Sequence, residues 1–561
     1  MKCKKWLAAL CTAAMLAAGT GCQQQEETFA DTITVSEDKD VQDNNSTDNH
    51  LSADKLADKV EEIYTTEYSE KIHDNIEDLK SQDDYDESNM LIIHNPYGTN
   101  TLSLYVYFKT DKAVKTSYTV SAEGYEDYSS QAESKRTKTH EFTVIGLVPN
   151  TKNTITFTMT DANGNTKTEK VTYKMGKLLG SEETTLATTD GTSTQALSNG
   201  LYTILGNDSD GQDFMYYYDN SGTIRGEVPI LGYRSHRILF KGNLMYYSIG
   251  KHTLAAVDNL GQVQKVIHTG KYELHHDYCF DDDGNLVVLA SYQTDDVDKC
   301  KAEDLIIRID PDTDKILDVV DLGDILGDYK ETTTMPESGV NGEGVYGLDW
   351  IHVNSIQWLG SGTVILSSRE TSSIIKISKL FSKSPNLDYI IGQKDFWTES
   401  GYDDKVLTQV GTFSNTGGQH SVTYVPTDED GVYYLYLFNN NYGQSTTQPD
   451  YDWTQISGIE TKTVSAMSAE ELAAANSYYY RYKVDENAGT YELETSFAVP
   501  YSSFVSSVQE TGSTVIADSG FQGIFGEYTN DGQLIRQFKM KLSKYMIYRV
   551  YKYDFESFYQ K

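Results

Sequence analysis

From about residue 200 onward the chain keeps returning to one unit: a short apolar strand, a tight turn bearing Gly or Asp, and a second strand. RILFKGNLMYYS (237–248), YCFDDDGNLVVLAS (278–291), IQWLGSGTVILSS (356–368), VTYVPTDEDGVYYLYLF (422–438) and VQETGSTVIADSG (508–520) all have this form. Several are followed by a further strand pair, such as HTLAAVDNLGQVQKVI and DLIIRIDPDTDKILDVVDLG. Short antiparallel strands that recur about every 40–50 residues are the mark of a propeller. With 200–218 counted as the first unit, the repeats make about six blades. The 42 tyrosines against 18 phenylalanines suit such a fold, because tyrosine favours a half-buried pleated surface and keeps a wet end.

The part before the repeats divides further. Residues 89–176 hold six short runs (MLIIHNPY, LSLYVYFKT, TSYTVSAEG, HEFTVIGLV, TITFTMTD, EKVTYKMG) separated by turn residues, as a small β-sandwich requires. The expected architecture is therefore all-β: a small N-terminal β-sandwich, then a six-bladed β-propeller over 177–561. Residues 1–21 read as a secretory signal, with Lys2, Lys4 and Lys5 before an apolar run too short to span a membrane. Gly19-Thr20-Gly21-Cys22 resembles the lipobox of bacterial lipoproteins. That resemblance implies lipidation at Cys22 and anchoring at the outer face of the bacterial cytoplasmic membrane. Without lipidation the protein would be periplasmic or extracellular. Residues 22–88 form an acidic tether, polar over 23–50, with helical spacing of Leu51, Leu56, Val60 and Ile63 before the body begins. Cys279 and Cys300 could form one disulfide in an oxidising compartment, and sequence leaves that open.

A net charge of -36 argues against nucleic acid, which needs a basic footprint, and against anionic lipid beyond the N-terminal anchor. An anionic substrate would be repelled at long range, so its site must be built locally from Arg and His. Aligning the repeats on their first strands gives such a set. Two residues before Tyr278, Ile356, Val422 and Val508 stand His276, Asn354, His420 and Ser506, and His236 stands two before Ile238. His352 lies two before Asn354, so strand alternation puts it on the same face. In a propeller the innermost strands run along a central channel, where these polar groups converge. Arg369 closes a hairpin in SSRETSS at the same mouth. Alternation puts His275 on the face opposite to His276, and Asp277 could orient one of the two by accepting a ring N–H. His420 follows Gly417-Gly418, a turn that glycine makes sterically open.

These stretches resemble a known family, the bacterial arylsulfate sulfotransferases that do not use the nucleotide sulfate donor. ELHHDYCFDDDGNLVVLAS, GLDWIHVNSIQWLGSGTVILSSRETSSIIKI and TGGQHSVTY carry the resemblance, in the family's order. It implies that His420 is a transiently sulfated nucleophile and that His276, His352, Asn354 and Arg369 surround the sulfuryl group. Ser506 stands where the family tends to carry a threonine hydroxyl. The partners implied are a phenolic sulfate donor and a phenolic acceptor, with no cofactor, and a homodimer is a family expectation. His276 is the first candidate for the general acid/base and His352 the second.

Two other readings compete. Several histidines on one channel could bind a metal and serve a hydrolase or lyase, but Arg369 would oppose a cation and no H-x-x-x-H or Cys cluster is present. The DDDG turn at 281–284 lacks the rest of a calcium loop. A surface-anchored binding propeller without chemistry is the second, since propellers host many functions.

Overall fold

The computed structural model describes residues 32–33, 53–207, 213–232, 234–292, 301–336 and 348–561. The signal segment, Cys22, most of the polar tether and Cys300 lie outside the described residues. Cys279 is a buried free thiol.

The segment expected as tether with a short helix contains two helices, Ala53–Ile63 and Thr66–Gln82. The Thr65 hydroxyl caps the second by accepting from Tyr68 N at 3.2 Å. Tyr68, Ser69, Ile72 and Ile76 form its buried face, at the spacing a helix needs to line one side. The helices dock on the large unit: Tyr64 Oη donates to Pro229 O at 2.7 Å, and Val263 N donates to Ser69 Oγ at 3.0 Å. High acidity masks this apolar stripe when the sequence is read by composition.

The small domain is an antiparallel sandwich built on one long strand, Leu104–Ala122. Its first half pairs with Leu91–His94 and Thr137–Val144, its second with Lys152–Thr160 and Tyr128–Gln131. The sequence suggests two strands with a turn between them. The structure has one, and its pairing register with Thr137–Val144 shifts between Lys109 and Val114, where it passes from one sheet to the other. A bulge of this kind bends a strand without ending it. Phe108, Val120, Phe142, Ile155 and Phe157 fill the space between the sheets.

The rest of the described chain makes six sheets of four or five strands, antiparallel except where Thr408–Val410 runs parallel to Thr490–Pro500 at one edge. The two ends of this unit are stitched together. Val550–Tyr553, near the C-terminus, pairs with Leu201–Ile204 of the first sheet, and Ala187–Asp190, near the start, pairs with Leu534–Lys539 of the last. The first strands Glu273–Phe280, Val353–Gly360 and His420–Pro426 lie side by side in that order. Cross-links join them: Ile356 N donates to Asp277 Oδ2 at 3.1 Å, and Val422 N to Ser355 Oγ at 3.2 Å. Arg549, fully buried, donates to His236 O (3.2 Å), Asn354 O (2.7 Å) and Asp277 Oδ1 (3.3 Å). One guanidinium therefore holds groups from three neighbouring sheets.

Candidate active site

The strands that carry the candidate residues begin irregularly, and the irregularity aims the side chains. In Glu273–Phe280 the pairing passes from Leu274↔Ala290 to Tyr278↔Val288, so His275, His276 and Asp277 together oppose Leu289. His276 has φ of 55°. Similar register shifts fall between Val353 and Ser355 and between His420 and Thr423. His352 (φ 46°), Ser421 (φ 59°), Val505 (φ 51°) and Ser506 (φ 83°) share the left-handed conformation. Each non-glycine residue held there costs on the order of 1–3 kcal/mol, and such strain collects where a protein needs a side chain in a fixed place.

The bulge overturns the alternation argument for His275. Its ring lies 3.7 Å, centroid to centroid, from that of His276 and 5.4 Å from that of His352. All three rings are buried together. Asp277 does not accept from an imidazole. Its carboxylate takes the Ile356 N–H and the Arg549 guanidinium and pairs with Arg237 at 3.1 Å.

His276 and His352 face each other through their Nε2 atoms at 2.9 Å. His352 Nδ1 donates to Asp349 Oδ2 at 2.7 Å, and Arg369 Nη2 donates to the same oxygen at 3.1 Å. At the other end, His276 Nδ1 lies 2.8 Å from Tyr548 Oη. The order is thus Arg369, Asp349, His352, His276, Tyr548.

His420 stands beside this chain, with Nδ1 2.7 Å from Asn440 Oδ1. Asn440 Nδ2 donates to Ser502 O (2.8 Å) and Val505 O (3.1 Å), which fixes the amide so that its oxygen faces His420. His420 Nδ1 must therefore carry the proton, and Nε2 keeps its lone pair. Burial pushes the ring's pKa down to about 3, helped by Arg369 and Arg549 and opposed by the Asn440 bond. Asn354 Nδ2 donates to Gln419 O at 2.8 Å, just before His420, and its buried Oδ1 has no hydrogen-bond partner. Ser506 is turned inward: its hydroxyl donates to Ser502 Oγ at 2.9 Å and accepts from Gly520 N at 3.1 Å.

A cavity of about 640 Å³ meets this group at Arg369 and at Gly418, two residues before His420, and among the described residues no imidazole lines it. Arg234, Arg369 and Lys544 supply positive charge to its wall, and Tyr442, Phe504 and Phe521 supply aromatic surface. The one acid in the wall among the described residues, Glu370, directs Oε1 into the protein, where Ser445, Thr446 and Thr447 donate to it. A wall of this kind suits an aromatic anion despite the strongly acidic chain. The expected single guanidinium is in fact one of a group, with Arg234 stacked 4.0 Å over the Tyr548 ring and Arg549 behind.

Ligand atoms of His275, His276 and His352 lie within 4.8 Å of one another, the spacing of a possible metal site. The His276–His352 hydrogen bond already uses the facing nitrogens, and two guanidiniums line the cavity above. The donor set therefore fits a cation poorly. Trp350 is core, buried with Ile351, Val353 and Trp397, and Trp358 lies at the margin of that cluster.

Asp349, Asn440, Tyr548, Arg234 and Arg549 were not found by sequence reasoning. Only Asp349 left a signal, three residues before His352 in GLDWIHVN.

Burial holds His236, His275 and His276 well below the ordinary histidine range, as it does His420. Each ring binds a proton more weakly folded than unfolded. As pH falls below about 6.5 the unfolded chain gains protons that the folded one refuses, so stability is lost with falling pH. The apparent melting temperature is expected to drop between about pH 7 and about pH 5, above the range where most carboxylates titrate. A level or rising melting temperature in that window would mean that the rings are charged in the folded state.

The family model for arylsulfotransferase (ASST) matches residues 187–558, and that for the arylsulfotransferase Ig-like domain matches 91–176. No curated protein matches the chain. Among solved structures, a putative 6-phosphogluconolactonase from Bacteroides uniformis is 12% identical over 77% of this chain and 98% of its own, with a TM-score of 0.32. A catalytically inactive virginiamycin B lyase from Staphylococcus aureus with quinupristin is 10% identical over 63% of this chain and 99% of its own, at 0.28. The domain model, by contrast, covers more than half of the chain and spans every candidate residue described above, and the Ig-like model covers the sandwich before it: the chain belongs to the arylsulfotransferase family.

Proposed function

We propose that this arylsulfate sulfotransferase works by two successive displacements at sulfur, with His420 Nε2 as the nucleophile. The observation that carries the reading is the Asn440 lock on His420 Nδ1, which leaves Nε2 unprotonated. Only the neutral ring can attack. In the first step an N–S bond forms, the S–O bond to the aryl group breaks, and its electron pair leaves on the phenol oxygen. That oxygen takes a proton from the His276–His352 pair. In the second step an acceptor phenol gives its proton to the same pair and its oxygen attacks sulfur, and the N–S electron pair returns to Nε2. Arg369 faces the sulfuryl oxygens, where a guanidinium matches an oxyanion in shape and charge. Asn354 steadies the Gln419–His420 backbone and offers Oδ1, while His275 packs against the proton-carrying pair. Ser506 shapes the 502–506 turn, so that Phe504 and Val505 reach the cavity.

In this reading the six sheets close into a six-bladed propeller, with Val550–Tyr553 and Ala187–Asp190 as the seam. A closed ring explains why strands far apart in sequence can deliver side chains to one cavity.

The test is incubation with an aryl sulfate and no acceptor, followed by intact and peptide mass measurement. One sulfuryl group on the peptide containing His420 is expected. Turnover without any such adduct, or an adduct on another residue, would overturn the ping-pong reading.

A further inference from the structure

Tyr548 stands at the far end of the histidine chain and belongs to none of the strand starts that carry the other candidates. Its hydroxyl has two partners on one residue: His276 Nδ1 at 2.8 Å and His276 O at 3.1 Å. Its ring is parallel to the His276 ring within 16°, and Arg234 covers it at 4.0 Å. Burial pushes the phenol pKa up to about 12, so it keeps its proton at neutral pH.

The His276–His352 pair has two protonation states, with two or three ring protons in all. His352 Nδ1 always carries one, because it donates to Asp349. One proton must also lie between the two Nε2 atoms. If it belongs to His276, then neutral His276 has a bare Nδ1, which accepts from the Tyr548 hydroxyl. If it belongs to His352, then His276 carries its proton on Nδ1, donates to Tyr548 Oη, and the hydroxyl turns to His276 O. The second arrangement holds one proton more than the first. Only a group that both donates and accepts can satisfy Nδ1 in each, and a hydroxyl with a second acceptor in reach does so.

We propose that Tyr548 is a positioning residue whose hydroxyl, turning between His276 Nδ1 and His276 O, lets the His276–His352 pair take up and release the single proton exchanged with the phenol oxygen. The inference rests on the assignment of that proton to the pair in the proposed reaction. The exchange is balanced: the pair loses one proton when the aryl group leaves and regains one when the acceptor phenol attacks. The nearby guanidiniums make the extra proton costly in the empty site, so the state is reached when an anion occupies the cavity.

Tyr548→Phe keeps the ring between Arg234 and His276 and removes only the hydroxyl. Proton delivery contributes on the order of 10²–10⁴-fold where the leaving group needs it. The variant is therefore expected to lose roughly 100-fold in kcat/KM with phenyl sulfate and roughly tenfold less than that with 4-nitrophenyl sulfate, whose phenol leaves more readily unprotonated. The dependence of rate on leaving-group acidity steepens. Equal losses on both esters, or none, would overturn the proposal, since a merely structural residue affects them alike. Melting temperature and donor-only labelling of His420 with 4-nitrophenyl sulfate show that the variant is folded. Absence of labelling in the wild-type enzyme would instead count against His420, and leaves the leaving-group comparison readable by itself.

Discussion

His420→Ala is expected to lose aryl sulfate-to-phenol transfer by on the order of 10⁴-fold or more, with its melting temperature close to that of the parent. The size follows from the chemistry. Without an imidazole at this position a water or the acceptor phenol must attack the sulfate ester directly. The neutral ring also loses its preorganisation: Asn440, fixed by two backbone carbonyls, holds one tautomer and one ring orientation before substrate arrives. The fold is expected to survive because the His420 ring bonds only to Asn440, which keeps two other bonds, and to the Gly418 backbone at the adjoining turn. The variant should also show no burst with donor alone. Transfer at the parental rate would remove His420 from the mechanism, and the Arg369–Asp349–His352–His276 chain would then need a different nucleophile. Stoichiometric binding of donor by the parent without product would favour a binding protein, against the family to which the chain belongs.

What the sequence showed and what it concealed follow from the range of each interaction. The sheets were legible because alternation and turn residues are local signals. The shared register of His276, Asn354 and His420 was legible because a repeat gives every strand the same frame. His275 was misplaced for the opposite reason. A bulge at Leu274–Tyr278 breaks the frame, and no Gly or Pro marks it. The long strand Leu104–Ala122 was divided in two by similar reasoning, since a register shift resembles a turn in the pattern. Tyr548 lies 272 residues from His276, and Arg549 reaches across 313 residues to His236, so neither has any local trace. Asn440 sits in an asparagine run after a tyrosine-rich strand and reads as ordinary loop. The imidazoles were thus visible in the sequence, while of the groups that set their protons only Asp349 left a trace.

Arg549→Met is expected to cost about 3–5 kcal/mol, the largest stability loss of any single change considered. Methionine matches the aliphatic stem but supplies no donors. Asp277, fully buried, then keeps only Arg237 and the Ile356 N–H, and the carbonyls of His236 and Asn354 lose a charged partner. A partly stranded carboxylate in the interior is far more costly than a missing surface pair. Arg549→Lys keeps the charge but replaces a planar fork by a point charge, which cannot reach acceptors on three sheets at once. It should fall between the parent and Arg549→Met. Thermal and urea melts measure the order, and an apparent melting temperature unchanged in Arg549→Met would show that the three sheets hold together without this hub. Because the same bond fixes the Asn354 carbonyl and Asp277 follows His276 directly, activity should fall in step with stability. A variant that melts early yet keeps full transfer would separate the scaffold from the site, and would place the precision of the imidazole chain in the bulged strands alone.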